Sequence, residues 1–164
     1  MRRHRFATGQ AGFTLVELVV VVIVVAILAV VAIPRLNPRA FDNVSFHQEA
    51  LAAMRYAQKE AIAKRRNVCV TVASTSVTVR FARLEASTTC DADLTSPRGA
   101  TPFVITGRPG VTLTATPAIP GTFYFDPLGR PFDAAGTASP QRTIGITGDA
   151  TRTFLIEPET GYVH

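Results

Sequence analysis

Hydrophobic positions fall into three regimes along this chain of 164 residues. Met1–Gly12 is polar and carries Arg2, Arg3 and Arg5. Phe13–Ile33 is apolar apart from Thr14 and Glu17, and Leu18–Ile33 has no polar side chain at all. As a helix this segment of about 21 residues reaches about 31 Å, the thickness of a bilayer hydrocarbon core. Pro34 and Pro38 bracket the polar stretch that follows, which predicts a kink or short interruption. From Phe41 to about Lys64 the helical period returns. Val44, Leu51 and Ile62 align, Phe46, Ala50, Met54, Ala57 and Ala61 widen the same face, and Asp42, Glu49, Lys59 and Glu60 lie opposite. Such a helix calls for a sheet on one side and solvent or neighbouring subunits on the other. His47 and Gln58 intrude on the apolar face and read as satisfied core or edge contacts.

After Asn67 the period becomes two. "VCVTVAS" and "SVTVRFAR" read as a hairpin turning near Ser74–Ser76. Ala86–Pro102 reads as an irregular loop. "FVITG", "VTLTATP" and "GTFYFDPLGRPFD" are further short strands, with Asp126-Pro127-Leu128-Gly129 carrying type I turn chemistry. "RTIGITG" and "TRTFLIEP" form a second hairpin about Asp149-Ala150. One long helix, with a membrane half and an amphipathic half, followed only by short antiparallel strands predicts an α+β fold in which that helix packs on antiparallel sheet.

Composition alters this picture little. The formal net charge is +5, but without Met1–Gly12 the basic residues fall from 17 to 14 against 12 acids, leaving +2. That is weak support for a nucleic-acid partner. "KRRN" at Lys64–Asn67 suits the dipole at a helix end better than a phosphate site. Cys69 and Cys90 both follow the apolar run. An even count on the exported side of a membrane segment predicts a disulfide between them.

The basic leader and apolar run resemble an export signal, and Val30-Val31-Ala32 is a passable site for general signal cleavage. The run is long for such a signal, however, and Gly12 stands before it. "GFTLVEL" (Gly12–Leu18) resembles the processing site of type IV prepilins and type II secretion pseudopilins. The resemblance implies cleavage after Gly12 by a prepilin peptidase, methylation of the new amino terminus at Phe13, and a helix-kinking role for Pro34. Glu17 has two readings. Thr14-x-x-Glu17 has capping-box spacing, and an intramembrane acid calls for a partner. The resemblance supplies that partner as the Phe13 amine of a neighbouring filament subunit.

The order of elements and "FYFDPLGRP" resemble the GspH/FimT branch of minor pilins and pseudopilins. Phe41–Val70 is similar to minor pilins of mannose-sensitive haemagglutinin (MSHA) pili, the MshC type. The implied organisation is a leader (1–12), a transmembrane and filament-core helix (13–34), an amphipathic helix half (35–66) and a β-rich globular domain (67–164). The implied partners are the bacterial inner membrane, the prepilin peptidase, and other major and minor pilins. The implied course is insertion with the globular domain in the periplasm, then incorporation into a filament.

Catalytic chemistry is not expected. His4, His47 and His164 are scattered and make no recognisable zinc set with the cysteines. There is no Gly-rich phosphate loop and no nucleophile elbow. Asp91-Ala92-Asp93 opens like a calcium loop but lacks the bidentate glutamate. No cofactor and no metal are expected, and the chain reads as a peptidase substrate rather than an enzyme. Two rivals stand beside the structural subunit. One is a DNA-binding FimT-type minor pilin, for which Gly148–Arg152 offers one arginine beside an acid where several cations are needed. The other is a periplasmic domain released by general signal cleavage.

Overall fold

The computed structural model describes residues 12–32, 38–118 and 121–164. The chain divides into two compact units, Met1–Asn37 and Pro38–His164, and each is described by itself.

In the first unit, helix α1 (Leu15–Ala32) follows Thr14, whose side chain and carbonyl both cap it. The Glu17 N–H donates to Thr14 Oγ1 at 3.2 Å and the Leu18 N–H to the Thr14 carbonyl at 3.1 Å, the pattern of an N-cap threonine. Valine, leucine, isoleucine and alanine fill the rest of the helix, and nearly all of its described side chains are exposed. Over these bounds α1 measures about 27 Å, and among the described residues no helix is long and apolar enough to cross a membrane. Phe13 and Thr14 precede the first turn, and Ile33 lies outside the described residues, as does Pro34 with its expected kink.

The second unit opens with α2 (Pro38–Lys64). The helix begins three residues before the return of helical periodicity at Phe41, because a proline at the first helical position gives up an N–H that has no intrahelical partner there. Its buried face is also rotated from the sequence expectation. Asn43, Phe46, Ala50, Ala53, Met54, Ala57 and Ala61 are buried, whereas Val44 and Ile62 are 39% and 48% exposed and Leu51 is half-buried. Small side chains let the helix backbone approach the sheets, so the alanines rather than the branched residues mark the inner face. At the far end Arg65 adopts φ 51°, its N–H donates to the Ile62 carbonyl, and the Arg66 N–H donates to that of Ala61. This is a Schellman cap with arginine in the left-handed position.

Among the described residues nine strands follow: β1 (Val68–Val72), β2 (Ser76–Phe81), β3 (Ala92–Asp93), β4 (Phe103–Thr106), β5 (Thr112–Thr116), β6 (Gly121–Phe125), β7 (Pro131–Asp133), β8 (Arg142–Thr147) and β9 (Thr151–Ile156). All described pairings are antiparallel. The larger sheet runs β3-β2-β1-β6-β7, and β4 shares with β3 the outer edge of β2; the smaller runs β5-β8-β9. Both expected hairpins form, β1–β2 with Val72 opposite Val77 and β8–β9 with Thr147 opposite Thr151. β3 lies inside the stretch expected to be an irregular loop.

Alternation along the strands sends Val68, Val70, Val72, Val77 and Val79 inward from the larger sheet, and Ile144, Ile146, Phe154 and Ile156 inward from the smaller. With Phe123, Phe125, Leu113 and the inner face of α2 they make one core. The α+β architecture expected from the sequence, helix packed on antiparallel sheet, is the observed one.

Candidate processing and assembly site

The N-terminal motif is described from Gly12 onward. A β-carbon placed on Gly12 would meet no atom within 4 Å, so packing among the described residues does not require a glycine here. Phe13 is 83% exposed. Thr14 then caps α1 through its own hydroxyl, whose oxygen accepts from the Glu17 N–H. Among the described residues the Glu17 carboxylate has no hydrogen-bond or ion-pair partner. Gly12, Phe13 and Glu17 thus lie within six residues at an exposed helix start. All three residues are exposed.

The other residues singled out in the sequence serve the globular unit. Cys69 and Cys90 form a disulfide across 21 residues of sequence, fastening the loop after β2 to the first strand. Asn67 Nδ2 supports the same loop by donating to the Ser87 carbonyl at 2.8 Å. Asp91 and Asp93 are engaged locally. Asp91 Oδ1 accepts from the Arg83 N–H at 3.0 Å, which holds the Asp91 carboxyl below its ordinary range, and Asp93 pairs with Arg80 at 3.0 Å. Among the described residues no three His, Cys, Asp or Glu side chains gather as a metal set.

His47 meets Phe154 edge-on with ring centroids 5.7 Å apart. Gln58 donates from Nε2 to the carbonyls of Gly129 and Thr160 at 3.1 and 2.8 Å, so both intruders on the helix face make contacts within the unit. Lys64 pairs with Glu60 at 3.3 Å and Arg66 with Glu85 at 3.7 Å, while Arg65 shapes the cap. In the Asp126–Gly129 turn the Gly129 N–H donates to the Asp126 carbonyl at 2.8 Å. Asp126 Oδ1 accepts from the N–H groups of Leu128 and Arg130, and its Oδ2 pairs with the Arg130 guanidinium at 2.7 Å.

Two of the buried polar residues that went unnoticed in the sequence are Asn43 and Arg142. Asn43 is fully buried on α2 and donates from Nδ2 to Asp149 Oδ1 at 3.0 Å and to the Ala150 carbonyl. The acid of the Gly148–Arg152 turn is therefore committed to the helix, and Arg152 remains one cation beside it. Arg142 is 6% exposed at the start of β8. Neither residue sits in a local motif; only a polar residue at an inward strand or helix position marks them.

Residues 8–33 match the prokaryotic N-terminal methylation motif. The chain carries that motif. Gly12, Phe13 and Glu17 all fall within it. No curated protein matches the sequence significantly. Among solved structures the chain is similar to the type IV minor pilin FimU of Pseudomonas aeruginosa, with 19% identity over 78% of this chain and 87% of that one and a TM-score of 0.53. It is likewise similar to the minor pseudopilin EpsH from the type 2 secretion system of Vibrio cholerae, with 14% identity, 78% and 95% coverage and a TM-score of 0.52. At these identities the likeness speaks to the fold, which is pilin-like. Pilins and pseudopilins are non-enzymatic structural subunits.

Proposed function

We propose that this chain is a minor structural subunit of the type IV pilin and pseudopilin class, processed after Gly12 by a prepilin peptidase and methylated at Phe13. The apolar helix first anchors it in the inner membrane, with the disulfide-bonded β-rich unit in the periplasm. It then enters a filament beside other major and minor pilins, at or near the tip. The filament is an MSHA-like type IV pilus or a type II secretion pseudopilus. Within it, the Glu17 carboxylate pairs with the Phe13 amine of a neighbouring subunit, and Pro34 kinks the helix.

The observation that carries this reading is the position of Gly12 and Glu17 within the methylation motif. The glycine directly precedes the capped start of an apolar helix, and that helix holds its single acid in the first turn. An ordinary cleaved signal has no use for either feature. The pilin-like fold of the remainder supports the same reading. Mass spectrometry of the membrane fraction tests it. The mature chain is expected to begin at Phe13 with an added methyl group, and a start at Ile33 would overturn the proposal.

A further inference from the structure

Arg142 presents a cation that the chain buries without neutralising. Its residue is 94% buried, and its guanidinium lies over the Phe123 ring at 4.6 Å from the centroid. Nε donates to Ser139 Oγ at 2.7 Å, and the Ser139 hydroxyl, itself buried, donates onward to the Pro140 carbonyl at 3.1 Å. The two terminal nitrogens have no hydrogen-bond acceptor among the described residues, and no carboxylate there comes within ion-pair distance of them. Nor are these nitrogens sealed from water, since among the described residues the only fully enclosed side-chain polar atom without a partner is Asn43 Oδ1. The free end of the fork therefore keeps some contact with solvent.

The acid whose charge acts on Arg142, Asp133, does not close the gap. Asp133 sits opposite Phe123 across β6 and β7. Its Oδ1 accepts from the N–H groups of Ala135 and Thr137 at 2.9 and 2.8 Å, which ties the carboxylate to its own turn. Burial pushes the Arg142 pKa down from its ordinary value, and the Asp133 charge, acting from a distance, pushes it back up. A buried charge without a close counterion is strongly destabilising. A ring face and one hydroxyl replace only part of the lost hydration.

We infer that Arg142 is the base of a receptor slot for a single carboxylate group. Nη1 and Nη2 would receive its two oxygens in the paired geometry that guanidinium forms with carboxylates. Phe123 and Ser139 fix the plane of the fork. The carboxylate comes either from an acidic side chain of another protein chain or from a small free acid; the recognition chemistry is the same.

The experiment is a titration of the full-length chain, in detergent micelles, with sodium acetate. Sodium chloride keeps the ionic strength constant, and the Arg142 Nε–H resonance is followed by nitrogen-15 NMR. The expected result is a saturable shift that chloride alone does not produce. In Arg142→Gln the amide signals of Ser139 and Thr143 should cease to respond. In Arg142→Lys, which keeps the charge but not the fork, the apparent affinity should fall at least tenfold. A shift linear in acetate, or one reproduced by chloride, overturns the inference. So does an Asp133→Asn variant that moves the Arg142 resonance as far as saturating acetate does, since Asp133 would then be the partner. The wild-type titration decides the matter even if the Arg142 variants do not fold. A blocked Gly-Glu-Gly peptide separates the sources: binding tighter than acetate assigns the slot to a protein side chain, and weaker binding assigns it to a small free acid.

Discussion

Gly161 packs against the carbonyl of Gly129 so closely that a β-carbon on Gly161 would overlap that oxygen and stand 2.8 Å from the Gln58 amide nitrogen. Its φ of +66° is in the left-handed region as well. Gly161→Ala meets both a backbone penalty and a clash, and is expected to cost about 2–4 kcal/mol. Gln58→Ala removes only the two hydrogen bonds that join the same turns and should cost about 1–3 kcal/mol. Urea unfolding followed by circular dichroism ranks the two, and a Gly161→Ala variant as stable as wild type would show that these turns separate freely.

The Cys69–Cys90 bridge closes a long loop, and its removal relaxes the unfolded chain. The double variant Cys69→Ala/Cys90→Ala should lose about 3 kcal/mol. Thiol labelling of the exported protein without reductant should leave both cysteines unmodified. Free reaction of both would place the chain in a reducing environment.

Glu17→Gln separates capping from assembly. Thr14 already supplies the cap acceptor, so the substitution should change helix stability by no more than about 1 kcal/mol. Breaking a buried pair with the Phe13 amine costs about 3–5 kcal/mol, enough to exclude the subunit from a filament. The variant is expected to be inserted and cleaved normally yet absent from sheared filaments. Wild-type incorporation would leave Glu17 without an assembly role.

Stability should also depend on acid through Glu157. Its side chain meets the His164 ring at 2.9 Å and accepts from Gln141 at 3.1 Å. The His164 contact holds its carboxyl below the ordinary glutamate range, aided by Gln141 and opposed by burial. A depressed folded pKa means that the stabilisation is complete above the unfolded value, near 4.3, and is lost as pH falls through the folded one. Melting temperatures measured from pH 6 downward should therefore decline below about pH 4.3, and Glu157→Gln should flatten that part of the decline. An unchanged profile in the variant would assign the acid sensitivity elsewhere.

Local chemistry was legible in the sequence, and distant partnerships were not. Gly12, Phe13 and Glu17 lie within six residues, so their spacing could be read directly. The hairpins at Ser74–Ser76 and Asp149-Ala150 follow from alternation on either side of a turn. The inner face of α2 was misjudged because Val44 and Ile62 are large, whereas close packing against sheets rewards Ala50, Ala53, Ala57 and Ala61. Ile62 instead covers the turn at Gly129, a residue far along the chain. Asn43 and Arg142 take their meaning from Asp149 and Phe123, which no nearby pattern announces. The sharing of one β2 edge by β3 and β4 is likewise a long-range outcome, set by where the intervening loop returns.

The alanine face of α2 has an evolutionary corollary. Bulk in the core comes mainly from the strands, and the helix supplies chiefly a thin, flat wall. Enlarging one of its alanines would overpack the interior by about 1–3 kcal/mol, whereas exposed positions such as Ser45, Gln48 and Lys59 should tolerate change within about 0.5 kcal/mol. Selection can thus hold the thickness of the fold constant while the outward surface drifts. Chains only 14–19% identical can then keep a common architecture while presenting each neighbour with a different side.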